Sequence, residues 1–238
     1  MNLMNLRISS FVVFYALSFF ILACSNGSPS LITHGGEDYE TVVIGKQIWL
    51  KRNLNYVPTD TNVAKTARCY EDKSDNCDKY GRLYDWATAM ALPDNCNRAS
   101  CTSQIKTPHK GICPTGWHIP TNAEWEKLFR YADGSTGTDS PYKSGVAGKY
   151  LKAKSGWNDY EGTSGNGEDR FGFSALPGGT NYLEDEHFYS AGDRGYWWSA
   201  SEINSINAFR RGMHYDSDST SYYSYGKALL LSVRCVRN

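Results

Sequence analysis

The chain has 238 residues, and its 25 lysines and arginines balance 25 aspartates and glutamates. No basic stripe offers itself to a phosphate backbone, which argues against nucleic acid as a partner. The 17 tyrosines and 7 tryptophans point instead to a β-rich secreted domain or a binding surface.

Residues 1–23 carry one charge, Arg7, and run almost wholly apolar from Ile8 to Ala23. That run is too short and too weakly flanked for a comfortable membrane span and reads as a secretory signal peptide. Ile21-Leu22-Ala23-Cys24 resembles the lipobox of bacterial lipoproteins. By that resemblance Cys24 becomes the first mature residue, carries lipid and tethers the protein to a membrane. The competing reading is ordinary secretion with Cys24 removed or free, which leaves an odd cysteine to explain. Residues 24–40, small and polar, read as a flexible tether, and residues 41–238 as one domain. Ser25 after Cys24 favours the outer membrane by analogy; which face of the envelope stays open.

Seven cysteines less Cys24 leaves six: Cys69, Cys77, Cys96, Cys101, Cys113 and Cys235. Six allow fifteen pairings. Proximity suggests Cys69–Cys77 and Cys96–Cys101 as short clips, leaving Cys113 and Cys235 to tie the approach to the main helix to the last strand. Zinc is the rival use of these thiols. The chain has no Cys-x-x-Cys and no histidine at finger spacing, and its compartment is oxidising.

Residues 41–50 read as a β-hairpin turning at Gly45-Lys46. Residues 57–79 are polar and read as loop, followed by a short strand within residues 80–84. Asp85 caps an expected helix over 86–91 that Pro93 stops, and 94–112 is loop. The clearest helix follows: Thr121 and Glu124 form a capping box, and Trp125, Leu128, Phe129 and Ala132 make one apolar stripe ended by Asp133-Gly134. Residues 133–195 are rich in Gly, Ser, Asn and Asp and irregular, with 149–153 a strand or helical turn. Strands are expected at 196–201, 207–215 and 228–236, with 216–226 a polar, tyrosine-rich hairpin loop.

Several of these segments carry a resemblance. Gly45-Lys-Gln-Ile-Trp-Leu50, Tyr80-Gly-Arg-Leu-Tyr84, Cys113-Pro-Thr-Gly-Trp-His-Ile-Pro-Thr121 with Glu124-Trp125, Phe171-Gly-Phe-Ser-Ala-Leu-Pro-Gly-Gly179, Trp197-Trp-Ser-Ala-Ser201 and Ser232-Val-Arg-Cys-Val236 resemble, in order, the Fibrobacter succinogenes major paralogous domain. The family's members are typically secreted or surface lipoproteins, and the domain is similar to the C-type lectin-like fold shared with formylglycine-generating enzymes. The resemblance implies an α+β fold: two helices packed on a small twisted antiparallel sheet, with a long loop region and disulfides. It carries over no activity, so no catalytic residue transfers.

Candidate sites cluster in the second half. Trp157-Asn158-Asp159 looks like the calcium tripeptide of sugar-binding C-type lectins, but it lies well ahead of the Trp197-Trp198 strand and the partner Glu-Pro-Asn tripeptide is absent, so it reads as coincidence. Asn166, Glu168 and Asp169 offer oxygen ligands, with Gly165 and Gly167 permitting a tight turn, for a structural calcium, against the reading of a solvated turn. Trp197 and Trp198 alternate faces, so one is core and the other a candidate groove residue. With Trp157 and Trp198, the tyrosines Tyr215, Tyr222 and Tyr223 beside Asp216 and Asp218 suit a sugar, whose apolar face stacks while its hydroxyls bond carboxylates; the competing reading is a sheet edge that covers the core. The five histidines form no metal motif, and His118 reads as structural. Formylglycine-generating chemistry needs a pair of free cysteines, which bridges would consume. The sequence therefore suggests a lipid-anchored, non-catalytic surface module for polysaccharide, with an envelope structural or protein-interaction lipoprotein as the alternative and an enzyme third.

Overall fold

The computed structural model describes residues 30–135, 145–182 and 186–237. The expected signal peptide, residues 1–23, and the expected lipidation site Cys24 lie outside the described residues. Strands β1 (Leu31–His34), β2 (Glu37–Ile44) and β3 (Gln47–Leu50) form a meander. The expected turn at Gly45-Lys46 is present. Gly45 has φ +61, and a Cβ there would come within 2.8 Å of the Tyr131 ring, so both its backbone and its packing require glycine. The tether reading is corrected from residue 31 onward. Residues 31–40 pair as a hairpin, Ile32 opposite Tyr39, because Tyr39 inserts fully into the core, where its hydroxyl oxygen accepts the Asn55 N–H at 2.9 Å.

The stretch read as loop at 57–79 holds β4 (Ala67–Arg68) and α1 (Ser74–Tyr80). Next come β5 (Leu83–Tyr84) and α2 (Trp86–Ala89). Asp85 caps α2 as expected, accepting the Thr88 N–H at 2.7 Å. The helix stops short of residue 91 because Ala91 turns to φ +50. After β6 (Trp117–His118), α3 (Asn122–Asp133) carries the expected capping box and ends in a left-handed Gly134. Trp125, Leu128, Phe129 and Ala132 are buried. The second half contains α4 (Ala147–Leu151), the short hairpin β7 (Asp159–Tyr160) and β8 (Thr163–Ser164), β9 (Gly178–Tyr182) and β10 (His187–Ala191). It closes with β11 (Arg194–Glu202), β12 (Asn207–His214), β13 (Thr220–Gly226), β14 (Leu231–Ser232) and β15 (Val236–Arg237).

Two sheets organise the domain: a five-stranded one ordered β1-β2-β3-β15-β6 and a six-stranded one ordered β13-β12-β11-β14-β5-β4. Pairing is antiparallel except where β14 runs parallel to β11, Ser232 opposite Trp197. The architecture is α+β with antiparallel sheets, as expected, but sheet dominates over the two-helix arrangement the sequence suggested. Two further expectations change. Of residues 216–226, read as a loop, 220–226 are strand, since β13 pairs with β12 along its length, Arg210 opposite Tyr223, and only 216–219 form the turn. The single strand at 228–236 divides, β14 joining the larger sheet and β15 the smaller, so Leu231, Val233 and Cys235 point into one core cluster and Val236 into the other.

The expected disulfides are present: the short clips Cys69–Cys77 and Cys96–Cys101, and Cys113–Cys235, which anchors the crossing segment. Around Trp125 the second cluster is aromatic, with the Trp49 ring at 4.9 Å, Phe129 at 5.7 Å and Trp197 at 6.2 Å. Two cations are buried in the scaffold with partners. Arg234 donates to Asn53 Oδ1 at 3.0 Å and to the carbonyls of Leu50 and Phe173 at 3.1 and 2.6 Å. Lys227 pairs with Glu202 and donates to the carbonyls of Cys96, Ala99 and Ser205. No helix among the described residues is long and apolar enough to cross a membrane.

Candidate functional site

Hairpin β7–β8 turns through Glu161 and Gly162, both at positive φ, the geometry of a tight two-residue hairpin turn. This sets Tyr160 edge-on to Tyr215 at 5.4 Å between ring centroids. Tyr215 lies just past β12, and its N–H bonds Asp193 O at 2.9 Å. The turn that follows is held from behind by Lys152. This lysine is 1% exposed and donates to His214 O at 3.0 Å and Ser217 O at 3.1 Å. Its Nζ also lies 5.2 Å from the centre of the Trp157 ring. Burial lowers the Lys152 pKa, opposed by the nearby charges of Asp218 and Asp216. From the helix side, the Lys149 N–H bonds Asp218 O at 2.9 Å.

The result is an open cleft of about 420 Å³ lined by Tyr160, Thr163, Ser164, Tyr215, Asp216, Ser217 and Asp218. Asp216 and Asp218 are exposed and form no ion pair among the described residues. Two aromatic faces, two carboxylates and several hydroxyls therefore converge on one concave surface, held on a turn whose backbone a buried ammonium fixes. A polyhydroxylated ring can stack on such tyrosines while its hydroxyls donate to the carboxylates.

Of the residues singled out in the sequence, Tyr215, Asp216 and Asp218 come together here. Trp157 does not join them. It is 4% exposed, inside the core, with its Nε1 donating to Ala175 O at 2.9 Å. Trp198 is fully buried and bonds Tyr84 O at 2.7 Å, while Trp197 is fully buried on the other side and bonds Asn53 Oδ1 at 2.8 Å. At these two positions β11 has a core cluster on each side, so neither tryptophan is left for a groove. Tyr222 and Tyr223 are exposed on β13, an edge strand, away from the cleft. Tyr222 stacks on Phe209 at 4.9 Å.

The three residues named for a structural calcium each meet other partners. Asn166 Oδ1 accepts the Trp157 N–H at 3.0 Å, Glu168 pairs with Lys149 and Arg170, and Asp169 accepts the Ser174 N–H and hydroxyl, each at 2.7 Å. Each side chain is spent on a different protein partner. Among the described residues no group of three or more histidine, cysteine or acidic side chains is placed to hold a metal ion. His118 is buried against Glu124 Oε1 at 2.7 Å, in keeping with a structural role. Sequence reasoning missed Tyr160, Thr163 and Ser164. The signal was there, in the Glu161-Gly162 turn between two short polar strands.

No curated protein and no solved structure matches the chain. Residues 42–237 match the Fibrobacter succinogenes major domain, a span that takes in the six-stranded sheet, the three disulfides and the whole of the cleft, and the chain therefore belongs to that family.

Proposed function

We propose that this chain is a lipid-anchored, C-type lectin-like binding module of the cell envelope, non-catalytic, that holds extracellular polysaccharide in the cleft of Tyr160, Tyr215, Asp216 and Asp218. The observation that carries the reading is the convergence of two tyrosine rings with two carboxylates free of ion pairs on one open surface. An open rather than enclosed recess suits a polymer, which must enter along its length. The bridging of Cys69, Cys77, Cys96, Cys101, Cys113 and Cys235 supports a binding role over formylglycine-type chemistry, since it leaves no pair of thiols among them. The Cys24 motif supports the membrane tether.

Pull-down of the full chain on insoluble polysaccharides, with a glycan array, tests the reading. Retention that Tyr215→Ala or Asp218→Asn reduces about tenfold is the expected result. Failure to bind any carbohydrate removes it. A protein partner is the second reading, favoured by the exposed Tyr223 on edge strand β13, whose free backbone edge can accept another strand. Cross-linking in intact cells that recovers one specific protein would support it.

A further inference from the structure

A second recess, of about 350 Å³, lies between the β9–β10 hairpin and the strands β11, β12 and β13. Its wall includes Tyr182, Tyr196 and Tyr225, the hydroxyl residues Thr180 and Ser190, and two arginines, Arg194 and Arg210. Arg210 is 3% exposed, yet its Nε and Nη1 have no hydrogen-bond partner. Its guanidinium is stacked between rings, 3.9 Å from the centre of Tyr196 and 4.5 Å from that of Tyr225. Arg194 donates to the Tyr196 hydroxyl at 3.1 Å. Neither arginine forms an ion pair among the described residues.

Burying a cation with open donors is costly unless something supplies the acceptors. Aromatic faces offset part of that cost but cannot accept two in-plane N–H groups at once. A carboxylate brought into the recess supplies the missing acceptor and counter-charge, since a charge-assisted bond to a guanidinium N–H is stronger than a neutral one. The rings of Tyr196 and Tyr225 pack on the guanidinium, and Arg210 still lines the recess beside Arg194. The phenols and Thr180 and Ser190 surround that position with hydroxyls, which suits a ring bearing hydroxyls beside its acid better than an alkyl acid. The location matters too. Arg194 faces His214 in the β11–β12 ladder, and Tyr215 of the polysaccharide cleft is the next residue along.

We propose that this pocket binds the carboxylate of an acidic sugar, a uronate unit of the same polysaccharide whose neighbouring units lie in the Tyr160–Tyr215 cleft. The proposal rests on the polysaccharide reading and gives it a substrate class. Arg210 supplies the buried guanidinium, Arg194 a second positive charge, and Tyr196 and Tyr225 the walls.

The test is calorimetric titration of the full chain with three probes: an oligogalacturonate, the same oligomer with its carboxyls reduced to alcohols, and a peptide with a free C-terminal carboxylate. The oligogalacturonate is expected to bind about tenfold or more tighter than its reduced form, as a charge-assisted pair implies. Arg210→Met is expected to abolish that preference, bringing the two oligomers to within about twofold of each other. Arg194→Gln, farther from the core, is expected to shrink the preference in a chain of unaltered melting temperature, which covers the case in which Arg210→Met fails to fold. Equal affinity for the two oligomers, with both still sensitive to Tyr215→Ala, overturns the uronate proposal and leaves the polysaccharide reading standing. Binding of the peptide alone overturns the uronate proposal, and no saccharide binding in any arm overturns both.

Discussion

In the scaffold, Arg234 and Lys227 are buried with their donors spent on carbonyls, an amide and a carboxylate. In the tyrosine-lined pocket, Arg210 is buried with two donors open. The same chemical group thus meets opposite treatment within one domain. Where a cation joins the strands and loops of the frame, every contact made is one that unfolding must break. Where it lines a recess, the missing acceptor is left for something outside the chain to bring. The comparison separates charge used for architecture from charge held for recognition, and it predicts opposite signs when each is removed.

The strongest way to break the frame is its longest staple. Cys113→Ser with Cys235→Ser is expected to cost about 5 kcal/mol in the loop-entropy picture, read from urea denaturation. A single change in the frame comes next. Lys227→Met leaves the Glu202 carboxylate, 4% exposed, without its cation and three carbonyls without their donor. That is expected to cost roughly 3–5 kcal/mol, visible in the same measurement. A loss under about 1 kcal/mol would mean that the frame does not depend on its buried pair.

A smaller effect tests the electrostatics of the pocket. Burial, with Arg194 and Arg210 close by, holds the His214 pKa down to about 4. The unfolded chain takes this proton near the ordinary histidine value and the folded chain resists it until about pH 4. Stability from this residue is therefore complete above about pH 6.5 and declines as pH falls towards 4, by ~1–2 kcal/mol after screening. His214→Phe should flatten that part of a plot of stability against pH; an unchanged slope would show that His214 titrates normally. The smallest effect sharpens the comparison most. Arg210→Met is expected to change stability by less than about 1 kcal/mol, or to raise it, because it removes an unpaired buried charge. A loss equal to that of Lys227→Met would place Arg210 with the frame.

What could be read from sequence was mostly local. The Thr121–Glu124 capping box and the stripe of α3 lie within three turns of helix, and two of the disulfides join near neighbours in the chain. The assignment of the third followed by elimination. The aromatics were harder. Alternation along a strand separates buried from exposed faces only when one face meets solvent, and at its two tryptophans β11 has core on both sides, so Trp198 is as buried as Trp197. Polarity misled in the same way at β13. Its serines and tyrosines read as loop, yet Tyr223 and Tyr225 lie over the Arg210 guanidinium on the neighbouring strand. The oxygen-rich 166–169 segment looked like a cation loop because sequence does not reveal that Ser174 and Trp157 take its oxygens. The cleft was half legible: Tyr215, Asp216 and Asp218 stood out as a cluster, whereas Tyr160 reaches them only through the fold.

Mapping a bound oligosaccharide by amide chemical shifts tests the central claim most directly, that a saccharide sits on the turn after β12 rather than elsewhere on the frame. The expected result is perturbation confined to residues 159–164, 193–196 and 210–218, lost in Tyr215→Ala. Perturbation centred on the β1–β2 hairpin or on α3, or none with any oligosaccharide, would contradict it.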